Sequence, residues 1–152
     1  MDTAATLRHK MPSGEITLSE GMFIVEVQGE AVFDLSLAKR LEAARRDLLP
    51  GTEGVVLVQI PPDIAWVEPD ALKWLGSPEA MQGVVGRAVV VPSSFQALRD
   101  SIRWRLFKPA IAFRIFGQAR VAKTWLNDLW ISRAVGPELD EWSTRGEAEG
   151  QD

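Results

Sequence analysis

Three short apolar runs constrain the fold most. They are GVVLVQI at 54–60, GRAVVVPS at 86–93 and AIAFRIF at 110–116. Each is rich in β-branched or bulky apolar residues with almost no polar alternation. A strand covered on both faces has this composition, and such strands belong to parallel sheets. Each run is followed by a stretch with helical spacing or helix-start signals, so the connections are helical crossovers and helices cover the sheet.

Two segments precede the first run. EITLS at 15–19 alternates polar and apolar residues, and FIVEVQG at 23–29 places Phe23, Val25 and Val27 on one face and Ile24 on the other. Glu20-Gly21 between them is a turn signal, which predicts an antiparallel hairpin. In FDLSLAKRLEAARRDLLPG, Leu37, Leu41, Ala44 and Leu48 recur at helical spacing. Asp34 is the expected N-cap and Pro50-Gly51 the stop. WVEPDALKWLG, 66–76, opens a second helix, with Pro69 in the first turn where its missing N–H costs nothing. A third helix is predicted over 93–107 with Phe95, Leu98, Ile102 and Leu106 inward. The last helix carries Ala122, Trp125, Leu126 and Leu129 on one side. The predicted order is β-β-α-β-α-β-α-β-α, an α/β fold on a mixed, mostly parallel sheet. The hairpin supplies its one antiparallel pairing. Residues 1–13 are expected to be a flexible N-terminus, 14–133 a single domain, and 134–152 an acidic, disordered tail.

Charge is unevenly spread along the 152 residues. The net charge is −7 over 12–83, +7 over 84–133 and −5 over 134–152, within a total of −4. The basic middle includes Arg99 and Arg103, which share one helix face at i and i+4. That face is solvated, or it meets an acidic partner or the acidic half of a second copy. Nucleic acid is disfavoured by the acidic balance and the lack of a recognised motif. There is no cysteine and a single histidine, His9. Thiolate chemistry is therefore excluded, and histidine-based triads and most transition-metal sites are disfavoured. No phosphate-cradling glycine loop follows any strand. The expectation is no enzyme, no cofactor and no metal. The N-terminal stretch lacks a signal-peptide core, and no apolar run approaches the roughly 20 residues of a membrane span. A cytoplasmic location is expected.

The candidate interaction residues are Trp66, Glu68, Asp70, Trp74, Arg99, Arg103 and Trp104. Glu68 and Asp70 at the mouth of the second helix are read first as a cap that complements the helix dipole, worth a few tenths to about 1 kcal/mol. A partner-docking surface is the other reading. Trp66 and Trp74 bracket this helix. Trp104 points away from the apolar stripe of its own helix, between Arg103 and Arg105, a composition typical of interface hot spots. A homodimer with Trp104 in or beside the interface is expected, its strength weakened by salt.

The order of elements, with the opening hairpin, resembles the STAS-like (SpoIIAA-like) domain of anti-sigma-factor antagonists and many other bacterial proteins. Its carboxyl-terminal signature, R-x-F followed by A-x-x-W-L, is similar to Arg114, Phe116, Ala122, Trp125 and Leu126 here. The resemblance spans about residues 14–130. It implies a non-catalytic, regulatory protein-interaction module, acting as a homodimer or on another protein. A kinship with Sec14-like domains keeps a site for a small apolar or anionic ligand as the alternative. In the antagonists the second helix opens on a D-S-S-G-L-like motif with a phosphorylated serine. Here Glu68 falls on the aspartate, Asp70 on that serine and Ala71 on the glycine, and neither serine is present.

Overall fold

The structure is a computed structural model, described for residues 7–95, 98 and 112–135. The predicted hairpin forms from β2 (Gly14–Ser19) and β3 (Met22–Val27), antiparallel, with Ser19 registered on Met22. Glu20 and Gly21 between them have φ of 52° and 82°. Positive φ at both central residues is the turn geometry that matches strand twist. The hairpin's buried face is Phe23, Val25 and Val27 with Ile16 and Leu18 from β2.

The remaining elements are β4 (Val32–Phe33), α1 (Leu35–Leu48), β5 (Gly54–Gln59), β6 (Trp66–Val67), α2 (Pro69–Leu75), β7 (Val84–Val90), a 3₁₀ turn (Ser93–Phe95), β8 (Phe113–Phe116) and α3 (Ala119–Val135). One six-stranded sheet runs β1-β2-β3-β5-β7-β8, with β1 at Leu7–Met11. β3 pairs parallel with β5, β5 with β7, and β7 with β8. The chain is therefore α/β, with three parallel and two antiparallel pairings in its main sheet.

Four expectations need correction or limits. Residues 7–11 are not a flexible leader but an edge strand, antiparallel to β2 with Leu7 on Leu18 and Met11 on Gly14. LRHKM shows no alternation because an edge strand needs only one ladder and tolerates charges that discourage further pairing. The hairpin is consequently not the only antiparallel pairing. The two-residue strands β4 and β6, which form a small parallel sheet of their own, were too short for a periodicity signal. Finally, the helix expected over 93–107 falls largely outside the described residues, as do residues 136–152 of the expected tail.

The sheet is covered on both sides, as the apolar runs require. Val56 and Val58 of β5 pack with Leu37, Ala38 and Leu41 of α1 and Ala71, Leu72 and Leu75 of α2. Val55 and Leu57, pointing the other way, pack with Ala88, Ala122 and Leu126, and Trp125, Leu129 and Trp130 of α3 close over them. α1 starts as its sequence dictates, with the Asp34 carboxylate accepting from the Leu37 N–H at 2.9 Å. Its buried face is broader than the expected stripe: Leu37, Ala38, Leu41, Glu42 and Arg45 are buried, while Ala44 and Leu48 are only partly so.

α3 presses on two glycines. A Cβ at Gly21 would lie 2.6 Å from the Trp130 ring, and one at Gly86 would lie 2.5 Å from the end of Leu129. Gly21 also needs its positive φ, whereas the Leu129 tip can rotate aside. Gly21→Ala should therefore cost about 1–3 kcal/mol in urea unfolding. Gly86→Ala should cost less, and Trp130→Ala should recover part of the Gly21→Ala loss. A neutral Gly21→Ala would contradict this packing.

Candidate functional site

A charged cluster lies between the sheet and its α1/α2 layer. Glu42 on α1, Arg45 on α1 and Arg87 on β7 are 5%, 3% and 0% exposed. The helix brings Arg45 and Arg46 to Glu42 by i,i+3 and i,i+4 spacing. The sheet register brings Arg87, which is paired with Val56 and Phe113 and so shares their face. Glu42 Oε1 accepts from Arg45 Nε at 3.0 Å and from Arg87 Nη2, and Oε2 accepts from Arg45 Nη2 at 2.6 Å and Arg46 Nε at 2.8 Å.

The other arm of Arg87 ties in the end of α2 and the loop after it. Nη1 donates to the Leu75 carbonyl at 2.7 Å and the Ala80 carbonyl at 3.2 Å, with Met81 Sδ at 3.8 Å. Arg46 Nη2 reaches the Glu79 carbonyl at 2.7 Å. The Arg45 guanidinium stacks 5.0 Å from the Phe23 ring centroid. Carbonyl dipoles and ring faces thus share the charge left by three guanidiniums on one carboxylate.

Burial alone would push the Glu42 carboxyl up. The Arg45 hydrogen bond, and then the charges of Arg87 and Arg45, override that and hold it below its ordinary value. Because its folded value is depressed, its contribution to stability is complete above 4.5, the ordinary value, and is lost as pH falls through the lower folded value. Burial pushes Arg87 down to about 10, partly countered by Glu42, and it remains charged at neutral pH. Four donors occupy the Glu42 oxygens, so this carboxylate has no lone pair left to take a substrate proton. A cavity beside it, lined by Val25, Phe33, Leu41, Val58, Glu42 and Arg87 among others, offers only about 10 Å³. That is the lower limit for one water and far below a small-molecule site.

Of the residues expected from sequence, Trp66, Glu68 and Asp70 lie elsewhere, at the carboxyl ends of the parallel strands. Trp66 is 47% exposed on β6, registered opposite Val32 of β4, itself 38% exposed. Its ring meets Phe95 edge-on at 6.1 Å. Glu68 is the residue at the N-cap position of α2, yet its side chain makes no cap hydrogen bond and instead accepts from Trp66 Nε1 at 3.2 Å. Asp70, expected to cap, sits exposed inside the first turn, where it complements the dipole without being the cap. The Glu-Pro step shifts the boundary one residue before Pro69, which itself takes the first helical position.

Trp74 joins a different group: its Nε1 donates to Glu79 at 3.4 Å and Lys39 Nζ lies 5.8 Å from its ring. Arg99, Arg103 and Trp104 lie outside the described residues. The R-x-F and A-x-x-W-L residues form a cluster on the opposite side of the sheet. Arg114 lies 5.9 Å from the Phe116 ring and 5.6 Å from Trp125, while Ala122 and Leu126 are fully buried.

Among the described residues, no group of three or more His, Asp and Glu is placed to hold a metal ion, and no helix is long and apolar enough to cross a membrane. No family model matches the chain, and no curated protein matches its sequence.

The cluster's asymmetry has a measurable consequence. Removing Glu42 strands three cations, whereas removing Arg87 leaves Glu42 with two partners. In urea unfolding Glu42→Gln should cost about 3–5 kcal/mol. Arg87→Met should cost about 1–3 kcal/mol. The reverse order would contradict the central role of Glu42.

Proposed function

We propose that this chain is a non-catalytic, STAS-like regulatory module of the cytoplasm that works by binding another protein. The observation that carries the reading is the exposed Val32–Trp66 pair, bordered by the half-buried Phe95. It sits where loops leave the carboxyl ends of β3, β5 and β7, the end at which open α/β sheets receive ligands. A half-exposed tryptophan held in a two-strand ladder is a rigid apolar anchor, the residue type that dominates binding energy at interfaces. The mostly parallel sheet with the β2–β3 hairpin leading into it supports the STAS-like assignment, from which the additional edge strand β1 departs. So does the Arg114–Phe116–Trp125 cluster, which gives the R-x-F and A-x-x-W-L residues a joint task in fastening α3 to β8. Among the described residues, the cavity beside Glu42 is too small to serve as a Sec14-like ligand chamber.

The test is a photo-crosslinking residue placed at position 66 and, as a control, at the exposed Thr124 of α3. Irradiation in the native host should yield one discrete adduct from position 66 and none from 124. An adduct of twice the chain's own mass would make the partner a second copy, the homodimer expected from the charge pattern. No discrete adduct from position 66 would overturn the reading.

A further inference from the structure

We infer that the partner seated on the Val32–Trp66–Phe95 strip is a positively charged protein segment with an apolar anchor. This rests on the interaction reading above and adds the chemistry of what binds. The strip is apolar along its length: Ala31 and Val32 on one strand and Ala65 and Trp66 on the other are all exposed, and Phe95 borders the Trp66 ring. Among the described residues, the loops that carry it, 28–34, 60–70 and 92–95, contain five acidic residues and no lysine or arginine; Arg99, Arg103, Arg105 and Lys108 follow Phe95 in the segment outside the described residues.

The ladder places those acids. Val32 is registered on Trp66 and Phe33 on Val67, so Asp34 and Glu68 follow the pairing at one end. The Ala65 N–H bonds the Ala31 carbonyl at 2.8 Å, so Glu30 and Asp63 precede it at the other end. The apolar strip is therefore bracketed by carboxylates, with Asp70 one turn beyond.

Some of this charge is already engaged. Asp34 caps α1. Glu30 accepts from Ser13, which Arg40 also reaches. Glu68 accepts from Trp66. Asp63 and Asp70 are exposed and, among the described residues, have no cationic partner. A lysine or arginine approaching the strip meets the carboxylates of Asp63 and Asp70 and, between them, the half-exposed indole of Trp66, a ring that attracts cations. An acidic peptide, a nucleic acid or an anionic lipid surface would meet like charge at Asp63 and Asp70.

The test titrates the ¹⁵N-labelled full chain with a synthetic amphipathic Leu–Lys peptide and, in parallel, its Leu–Glu counterpart. The Leu–Lys peptide should shift amide resonances of residues 31–34 and 64–70, and Trp66→Ala should weaken it by about tenfold or more. Trp66→Phe should restore part of the loss, and unchanged resonances elsewhere would show that the variants stay folded. Asp63→Asn with Asp70→Asn should weaken binding several-fold and flatten its salt dependence. Equal or stronger binding of the Leu–Glu peptide at the strip would overturn the partner chemistry while leaving the interaction reading in place. Shifts spread over the surface and insensitive to Trp66→Ala would mean non-specific charge attraction and overturn the proposal. So would self-association of the free chain through the strip that Trp66→Ala abolishes, since the occupant would then be a second copy. No response of the strip to either peptide would count against both this inference and the reading beneath it.

Discussion

Glu42 is the point at which the helical layer is fastened to the sheet. A carboxylate and an arginine buried this deeply each lose several kcal/mol of hydration, and only close, well-directed partners offset that. Here the offset is built from the geometry of three elements. α1 supplies Glu42 with Arg45 and Arg46 by helical spacing, and β7 supplies Arg87 by register. The end of α2 and the loop after it supply carbonyl oxygens for Arg87 and Arg46. Any slip of α1 along the sheet would uncover a charge, so the cluster specifies one arrangement where apolar contacts alone would tolerate several.

That rigidity matters for the surface on the other side of the layer's edge. Phe33, just ahead of α1, and Val67, just ahead of α2, are both fully buried and paired in the β4–β6 ladder. The same ladder holds Val32 and Trp66 outward. Fixing α1 and α2 against β7 therefore also fixes the two strands that present the exposed strip. On the proposed reading, a surface held this way would not have to be ordered when a partner arrives, which lowers the entropic cost of association.

The parts of this fold that were legible in the sequence are those with a strong local signal. The three apolar runs announced parallel strands, Glu20-Gly21 announced the hairpin turn, and Asp34 announced the start of α1. Leu7–Met11 was illegible because four of its five residues are exposed, so no buried face sets a pattern, and β4 and β6 because two residues cannot show a period. The charged cluster was half legible. Glu42 with Arg45 and Arg46 has the spacing of an ordinary solvated helix pair, so nothing in α1 alone marks it as buried. The overlooked signal is Arg87, a lone cation inside GRAVVV, which cannot enter a doubly covered strand without a counter-charge on a neighbouring element. Of the expected site, Trp66 and Glu68 came together because they are two residues apart along the same extended stretch, which puts their side chains on one side. Trp74 went with α1 because a helical turn separates it from the mouth of α2.

The most direct measurement of this account is the pH titration of the Glu42 side-chain carboxyl carbon by NMR, in the folded chain. If three guanidiniums hold that carboxylate, its resonance stays at the ionised position as pH falls through 4.5 and moves only with, or just ahead of, acid unfolding. A Glu42 carboxyl that titrates in the folded protein at or above 4.5 would mean that burial outweighs the arginines, and would contradict the cluster as the fastening of the fold.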